Sequence, residues 1–316
     1  MENKLKEEAG KLLKEGRVEY IIGFGKGTVK FRTSPLITNK EEDLDNLVIN
    51  PFIANNLSRY PTELKSRVGI VVKGCDSRSL TSLIQDNKLN REDLVILGVP
   101  CDGVVDIRKV ADHINTDIDQ VTEINREGDN LAVQVNGSSK TIPFRDIVFD
   151  KCYGCKYPTP LEYDILLGNE ASSNLEMERS LKAIKELDEM EARDRWQYWK
   201  EQFSKCIRCY GCRNVCPACY CERCFVDVNI PQWISTYATW QDNLVFQLIR
   251  TLHVAGRCSD CGECERACPV GIPLRSLQRK MVEEVENLFG YEVGVDKDAP
   301  PVLAHFESTD PEEFIK

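Results

Sequence analysis

One short cysteine pattern occurs twice in this chain, and the repetition dictates what its C-terminal third must fold around. The first copy is Cys206-Ile-Arg-Cys209-Tyr-Gly-Cys212-Arg-Asn-Val-Cys216-Pro217. The second is Cys258-Ser-Asp-Cys261-Gly-Glu-Cys264-Glu-Arg-Ala-Cys268-Pro269. Both read C-x2-C-x2-C-x3-C-P, the run that wraps a [4Fe–4S] cube. Three close thiolates bind three irons of one cube, and the fourth, ahead of the proline, turns away to the other cube. The expected sets are Cys206, Cys209, Cys212 and Cys268 for one cube, and Cys258, Cys261, Cys264 and Cys216 for the other. Zinc knuckles or disulfide loops are the competing reading. Zinc sites, however, usually pair C-x2-C units across a long loop.

At 316 residues the chain has room for two domains. No stretch approaches eighteen apolar residues and the opening MENKLKEEAGKLLKEG is highly charged, so neither a spanning helix nor a secretory signal is expected. Fifteen cysteines without such a signal point to metal ligation in a reducing cytoplasm. A net charge of −10 argues against nucleic acid, whose phosphates call for a basic face.

Residues 1–15 read as an amphipathic helix with Leu5, Leu12 and Leu13 on one side, stopped by Gly16. Strand-like runs Val18–Ile22 and Thr28–Arg32 flank Gly23-Phe-Gly25-Lys-Gly27, which predicts a hairpin; a dinucleotide loop would need G-x-G-x-x-G between strand and helix. Val68–Val72 then leads into a helix around Ser77–Asn87, and Leu94–Gly98 into one around Val105–Ile114. That alternation predicts a partly parallel sheet. Gln120–Pro143 reads as an antiparallel excursion turning at Asp129-Asn130 and Asn136-Gly137, and Ile147–Phe149 as a further strand. Leu175, Leu181, Ile184, Leu187 and Met190 carry helical spacing through a charged stretch, and Ser235–Val254 reads as another helix. The expected fold class is thus α+β/α/β, a mixed, partly parallel α/β domain followed by an α-helical two-[4Fe–4S] ferredoxin domain. The expected division is 1–170 for the α/β domain, 171–204 for a helical linker, 205–290 for the dicluster domain and 291–316 for an extended strap. The strap carries Val302, Leu303, Phe306 and Phe314 as spaced apolar residues.

Four cysteines lie upstream of the repeats. Cys75 follows RVGIVVKG, Cys101 follows LVILGVP, and Cys152 and Cys155 follow DIVFD. If those strands are parallel, all four thiols stand at the carboxyl edge of one sheet, where α/β folds place ligands. Four converging sulfurs would hold a third cube; a four-cysteine zinc site or inert buried thiols are the alternatives. Lys73 and Arg78 would offset thiolate charge there, although solvated surface charges explain them equally well. Cys219, Cys221 and Cys224 remain, one short of another cube. They are a further metal site only with an outside ligand, and otherwise loose thiols or replacement ligands.

CIRCYGCRNVCPACYCERC followed by RCSDCGECERACPVGIPL resembles the iron–sulfur part of the beta subunits of coenzyme F420-dependent formate dehydrogenases and hydrogenases. VVKGCDSRSL, LGVPCDG and CYGCKYPTPLEYDILLG are similar to the other domain of that family, so the resemblance covers most of residues 17–290. The two runs with a helical stretch between them also look like the α-helical ferredoxin module of succinate dehydrogenase and heterodisulfide reductase subunits. The resemblance implies an electron-transfer subunit of a larger complex. Its partners would be heterodisulfide-reductase-like, hydrogenase, formate dehydrogenase or NAD(P)H-oxidising flavin subunits. In this chain the ferredoxin runs follow the α/β domain, and no clear flavin-binding motif is legible.

The expected function is therefore a cytoplasmic iron–sulfur conduit that passes single electrons and is not catalytic alone. No Ser–His–Asp set, P-loop or H-E-x-x-H occurs, and His113, His253 and His305 supply acid–base chemistry thinly. The alternative is an FAD-containing subunit that itself oxidises reduced F420 or a nicotinamide. Flavin is needed for that reading, because splitting a hydride into single electrons is cofactor chemistry.

Overall fold

The two continuous apolar runs, Val68–Val72 and Leu94–Gly98, lie side by side as parallel strands, every residue buried. Strands covered on both faces carry such unbroken runs. The computed structural model that contains them describes residues 1–306 and residue 308. Phe314 of the expected strap lies outside the described residues. The chain divides into two compact units, residues 1–77 with 89–180, and residues 78–88 with 181–316.

The first unit opens with α1 (Glu2–Lys14), which buries Leu5, Ala9 and Leu12. Its main sheet starts with β1 (Tyr20–Lys26) and β2 (Thr33–Thr38), which pair antiparallel. It continues through β3 (Val68–Val72) and β4 (Leu94–Gly98), and α2 (Gly74–Gln85) begins directly after β3. A two-residue strand (Ile165–Leu166), later in the chain, completes the strand order β2-β1-β3-β4 followed by that edge. All neighbours except β2 and β1 run parallel. After α3 (Ile107–Ile114), whose first turn is capped by Asp106 accepting from the Arg108 amide at 3.0 Å, the chain makes a separate antiparallel meander. Its strands are β5 (Val121–Glu127), β6 (Asn130–Val135) and β7 (Ser138–Pro143). Val121, Leu131, Val133 and Ile142 of the meander share a core with Val110, Ile114, Phe144 and Ile147.

Two local expectations are corrected here. The hairpin exists, but Gly23 and Gly25 lie within β1 and Gly27 just after it, and its second strand is Thr33–Thr38 instead of Thr28–Arg32. Close packing explains the glycines: a Cβ at Gly23 would meet Leu47 Cδ2 at 2.4 Å, and one at Gly27 would meet the Arg32 carbonyl at 2.5 Å. The run Ile147–Phe149 is not a strand. It follows α4 (Phe144–Ile147) and leads into a tight helical turn over Asp150–Cys152, with a single bridge between Val148 and Val105. The apolar run Ile147-Val148-Phe149 reflects burial of Ile147 and Val148, which a helical turn followed by one bridge satisfies equally well.

Counting the Ile165–Leu166 edge as β8 and the helix Met177–Glu189 as α5, the second unit is mostly helical. It contains α6 (Ala192–Ser204), the single turn α7 (Gly211–Asn214), α8 (Trp240–His253), the single turn α9 (Glu263–Arg266) and α10 (Leu274–Phe289). α8 starts later than expected because Thr239 Oγ1 accepts from the Asp242 amide and fixes the N-terminus there. Its core joins Phe203, Ile234, Phe246, Ile272 and Leu274 to the cysteines Cys212 and Cys264. Sulfur thus sits inside the hydrophobic core, not at its margin. No helix among the described residues is long and apolar enough to cross a membrane.

Candidate metal centres

The two repeated runs adopt one backbone path. In the first, Arg208 and Tyr210 take left-handed φ values of 50° and 57°; in the second, the equivalent Asp260 and Gly262 take 56° and 69°. A left-handed residue turns the chain sharply, which lets three thiols at C-x2-C-x2-C spacing face a common interior. Glycine accommodates this freely, whereas Tyr210 does so against a steric cost of roughly 1–2 kcal/mol. Its ring packs edge-on against Phe246 at 5.3 Å. Both left-handed residues at the earlier position are tied down by ion pairs or carbonyls. Arg208 donates to the Ser235 carbonyl at 2.7 Å and to the Tyr237 carbonyl, while Asp260 accepts two bonds from Arg275 at 2.7 and 2.6 Å.

The thiols fall into two neighbourhoods. Burial raises the Cys206 thiol, and the charges it senses include Cys268 and Cys209. Burial also raises Cys212, which senses Cys206 and Cys268. On the other side, burial and Asp260 push Cys258 up, with Cys261 and Cys216 adding to the effect. Cys264 is raised well up by burial, against Arg250, with Cys216, Cys258 and Cys261 around it. Cys268 thus lies within electrostatic reach of Cys206 and Cys212 of the first run, and Cys216 within reach of Cys258 and Cys264 of the second. The Ile272 amide donates to Cys268 Sγ at 3.3 Å, and Gln247 Nε2 donates to Cys212 Sγ at 3.9 Å.

A test of whether these residues suit iron–sulfur clusters comes from the atoms left over. Arg250 on α8 is 3 % exposed, and its Nε and Nη1 have no hydrogen-bond partner. The groups that sense its charge are Cys216, Cys264, Cys219 and Cys212. A dry cation is expensive unless it is paired, and thiols become its counter-charge only when ionised. Metal ligation removes the proton from a thiol. The donor set and the orphaned cation fit clusters bound at both neighbourhoods.

In the first unit, Val72 pairs with Gly98 at the carboxyl ends of β3 and β4, and Cys75, in the first turn of α2, and Cys101, in a loop, each follow three residues later. Cys152 arrives from a different direction, from the helical turn after α4, and still reaches Cys101. Burial above all, together with the Cys152 charge and against Lys73, lifts the Cys101 thiol to about 11. The Val104 amide donates to Cys152 Sγ at 3.4 Å. Cys155 closes a turn on the Cys152 carbonyl at 3.3 Å. Gly154 between them has φ 63°, and a Cβ there would strike Met177 Sδ at 2.4 Å. The expectation that all four thiols follow strands of one sheet is thus corrected for Cys152 and Cys155.

The reading of Lys73 and Arg78 as solvated charges is also corrected. Lys73 is 1 % exposed; its Nζ donates to Asp76 Oδ2 and to the Asn55 carbonyl, each at 2.8 Å, and lies 4.3 Å from the Phe24 ring centroid. Arg78 belongs to the second unit, where its guanidinium holds the carbonyls of Val293 and Ser259 at 2.9 and 3.3 Å. Sequence reading missed Asp76 altogether. Its signal was the spacing of Lys73 and Asp76 across the first turn of α2, a lysine three residues ahead of a carboxylate in an otherwise apolar strand-to-helix passage.

Cys219, Cys221 and Cys224 find separate neighbours. The Cys219 thiol donates to Cys216 and holds it down to about 6, which in turn pushes Cys219 up. Against burial, Asp227 and then Cys224 raise Arg213, and Cys221 is exposed beside Tyr220. Among the described residues no three His, Cys, Asp or Glu side chains converge as a single-ion site requires. A cube takes one thiolate on each of four irons, so its ligands surround it at wider spacing than those of a single ion.

These features define an iron–sulfur protein with a cysteine-lined second unit. Residues 202–272 match the model of a 4Fe-4S dicluster domain, and residues 65–214 match that of the C terminus of the coenzyme F420 hydrogenase/dehydrogenase beta subunit. Among curated relatives, the F420-dependent formate dehydrogenase subunit beta of Methanocaldococcus jannaschii is 24% identical over 301 residues, 78% of each chain. The F420-dependent formate dehydrogenase 1 subunit beta of Methanococcus maripaludis is 25% identical over 353 residues, covering 92% of this chain and 90% of its own. A chain in a structure of the F420-reducing [NiFe] hydrogenase complex from Methanosarcina barkeri aligns at 15% identity with a TM-score of 0.39. That alignment covers 65% of this chain and 86% of that one. Over residues 65–214 and along most of its length, the chain is similar to the beta subunits of coenzyme F420-dependent hydrogenases and formate dehydrogenases.

Proposed function

We propose that this chain is a cytoplasmic electron-transfer subunit of a multi-subunit oxidoreductase, relaying single electrons between a hydride-, formate- or hydrogen-oxidising partner and a heterodisulfide-reductase-like one. The observation that supports the reading is that Cys268 lies near Cys206 and Cys212, and Cys216 near Cys258 and Cys264, as crossed ligation would require. In this reading Cys206, Cys209, Cys212 and Cys268 hold one [4Fe–4S] cluster, and Cys258, Cys261, Cys264 and Cys216 hold a second. Cys75, Cys101, Cys152 and Cys155 hold a third. The clusters, when bound, supply one-electron redox chemistry.

The chain's own residues fix the ligands, exclude water and set the charge around them. Gln247 and the Ile272 amide direct donors at ligand sulfurs, which tunes a cluster's potential. Lys73 provides buried positive charge in the first unit. Cys209 is exposed whereas Cys212, Cys216, Cys261 and Cys264 are buried, so the Cys206 set is the proposed point of exchange with a partner. The domain division is proposed as an α/β part over 1–170, a helical linker over 171–204, a dicluster part over 205–290 and a strap beyond.

The two formate dehydrogenase relatives are named F420-dependent, and in a second reading this chain is itself the subunit that oxidises reduced F420, through bound FAD. Iron, acid-labile sulfide and flavin per chain, measured on anaerobically prepared full-length protein, separate the two. About twelve irons with equal sulfide and no flavin supports the conduit. Stoichiometric flavin supports the second reading, and absence of sulfide overturns both.

A further inference from the structure

Arg250 lies between the two cysteine neighbourhoods of the second unit and belongs to neither of the cysteine runs. It projects from α8, which is held in place by Asn243, Gln247 and Thr251 on its buried side. Nη2 donates to the Cys212 carbonyl at 3.1 Å, anchoring the guanidinium to the first run. Its two other nitrogens, Nε and Nη1, are buried without a hydrogen-bond partner. Around it stand thiols from both proposed sets, Cys212 from one and Cys216 and Cys264 from the other. The side chain is 3 % exposed, so water does not screen it.

We propose that Arg250 is a shared electrostatic positioning residue, which makes both clusters of the second unit easier to reduce by placing one buried positive charge between them. Each cluster gains negative charge on taking up an electron, and a fixed cation in a poorly screening interior stabilises the reduced form more than the oxidised one. A charge held between both sets acts on both potentials together. It raises both potentials in the same direction and leaves the step between the two centres little changed. Arginine suits the place better than lysine does in one respect. It stays charged under all conditions the protein meets, and its flat fork reaches a carbonyl on one side while facing sulfur on the others.

This inference rests on the cluster assignment above, and the wild-type protein checks that assignment separately through its iron and sulfide content. The test is an EPR-monitored redox titration of full-length wild-type protein, Arg250→Met and Arg250→Lys, with iron measured in each. The Met variant is expected to need a more negative potential at both centres, by at least a tenfold change in the reduced-to-oxidised ratio, which is about 59 mV for one electron. The Lys variant is expected to stay within threefold of wild type. Unchanged potentials in Arg250→Met, a shift confined to one centre, or equal shifts in both variants would overturn the proposal. If Arg250→Met fails to retain iron, the lysine variant decides: iron retained at wild-type potentials supports a requirement for charge, and loss of iron in both variants overturns it.

Discussion

The side-chain amide of Asn243 on α8 donates to the Cys206 carbonyl oxygen at 2.8 Å, and so ties the middle of the second unit to the first residue of its first cysteine run. The same nitrogen reaches the Phe203 carbonyl at 3.0 Å, where α6 ends. Asn243 is fully buried. Replacing it with Ala removes the Asn243 donor from the Cys206 carbonyl, while the Phe203 carbonyl keeps the Cys206 amide at 3.1 Å; a buried unsatisfied group costs about 1–3 kcal/mol. Chemical denaturation of the iron-loaded protein should show Asn243→Ala less stable by at least that amount, with faster iron loss to a chelator. A variant as stable as wild type would mean water replaces the amide.

The crossed ligand sets give a sharper expectation. If Cys268 completes the Cys206 cluster, the EPR signal weakened in Cys268→Ala should be the one weakened in Cys209→Ala, and not the one weakened in Cys261→Ala. Cys216→Ala should follow Cys261→Ala, unless Cys219, whose thiol touches Cys216, takes over as ligand. The double change Cys216→Ala with Cys219→Ala removes that escape. Signals pairing by run, with Cys268 following Cys261, would contradict the assignment.

How much of this was legible beforehand differs between the units. The cysteine repeats announced themselves because cluster ligands need fixed spacing, and spacing survives in sequence. β3 and β4 were equally plain, since Val68–Val72 and Leu94–Gly98 are unbroken apolar runs. The path to Cys152 was not legible. Ile147 and Val148 are buried, but burial alone does not distinguish a strand from a helical turn followed by one bridge. Lys73 was misread for a related reason. A lysine is usually exposed, and only the tertiary arrangement of Asp76, Asn55 and Phe24 around it makes its burial tolerable. Arg250 left no trace in any motif, because its role depends on two runs that meet only in three dimensions.

Gly74 offers a test of how tightly the entry to α2 is built. A Cβ at this position would lie 1.7 Å from the Tyr157 carbonyl oxygen, with backbone on the far side and nothing flexible to yield. Gly74→Ala must push the 157–159 segment away from the residue that immediately precedes Cys75. Overpacking of this kind costs about 1–3 kcal/mol. Thermal denaturation should record the loss, and iron content should fall if Cys75 is a ligand. Full stability in the variant would mean that the segment over Tyr157 shifts without resistance.

Lys73 and Asp76 form a buried ion pair, and removing one partner leaves the other stranded. Lys73→Met should destabilise the protein by about 3–5 kcal/mol, the usual consequence of an unpaired buried charge. Lys73→Met with Asp76→Leu should recover much of that loss, because two apolar residues leave no charge to bury. Whether the pair also serves the third cysteine set is a separate question that the double variant answers. If Lys73 supplies charge to bound thiolates, the stable double variant still holds its third cluster poorly, with iron falling from about twelve toward eight per chain. Cys101→Ala with Cys152→Ala sets the reference for complete loss of that cluster. A double variant that folds and keeps all its iron would confine Lys73 to a structural role; one zinc and no sulfide lost with Cys101 and Cys152 would show the third site to be a zinc site.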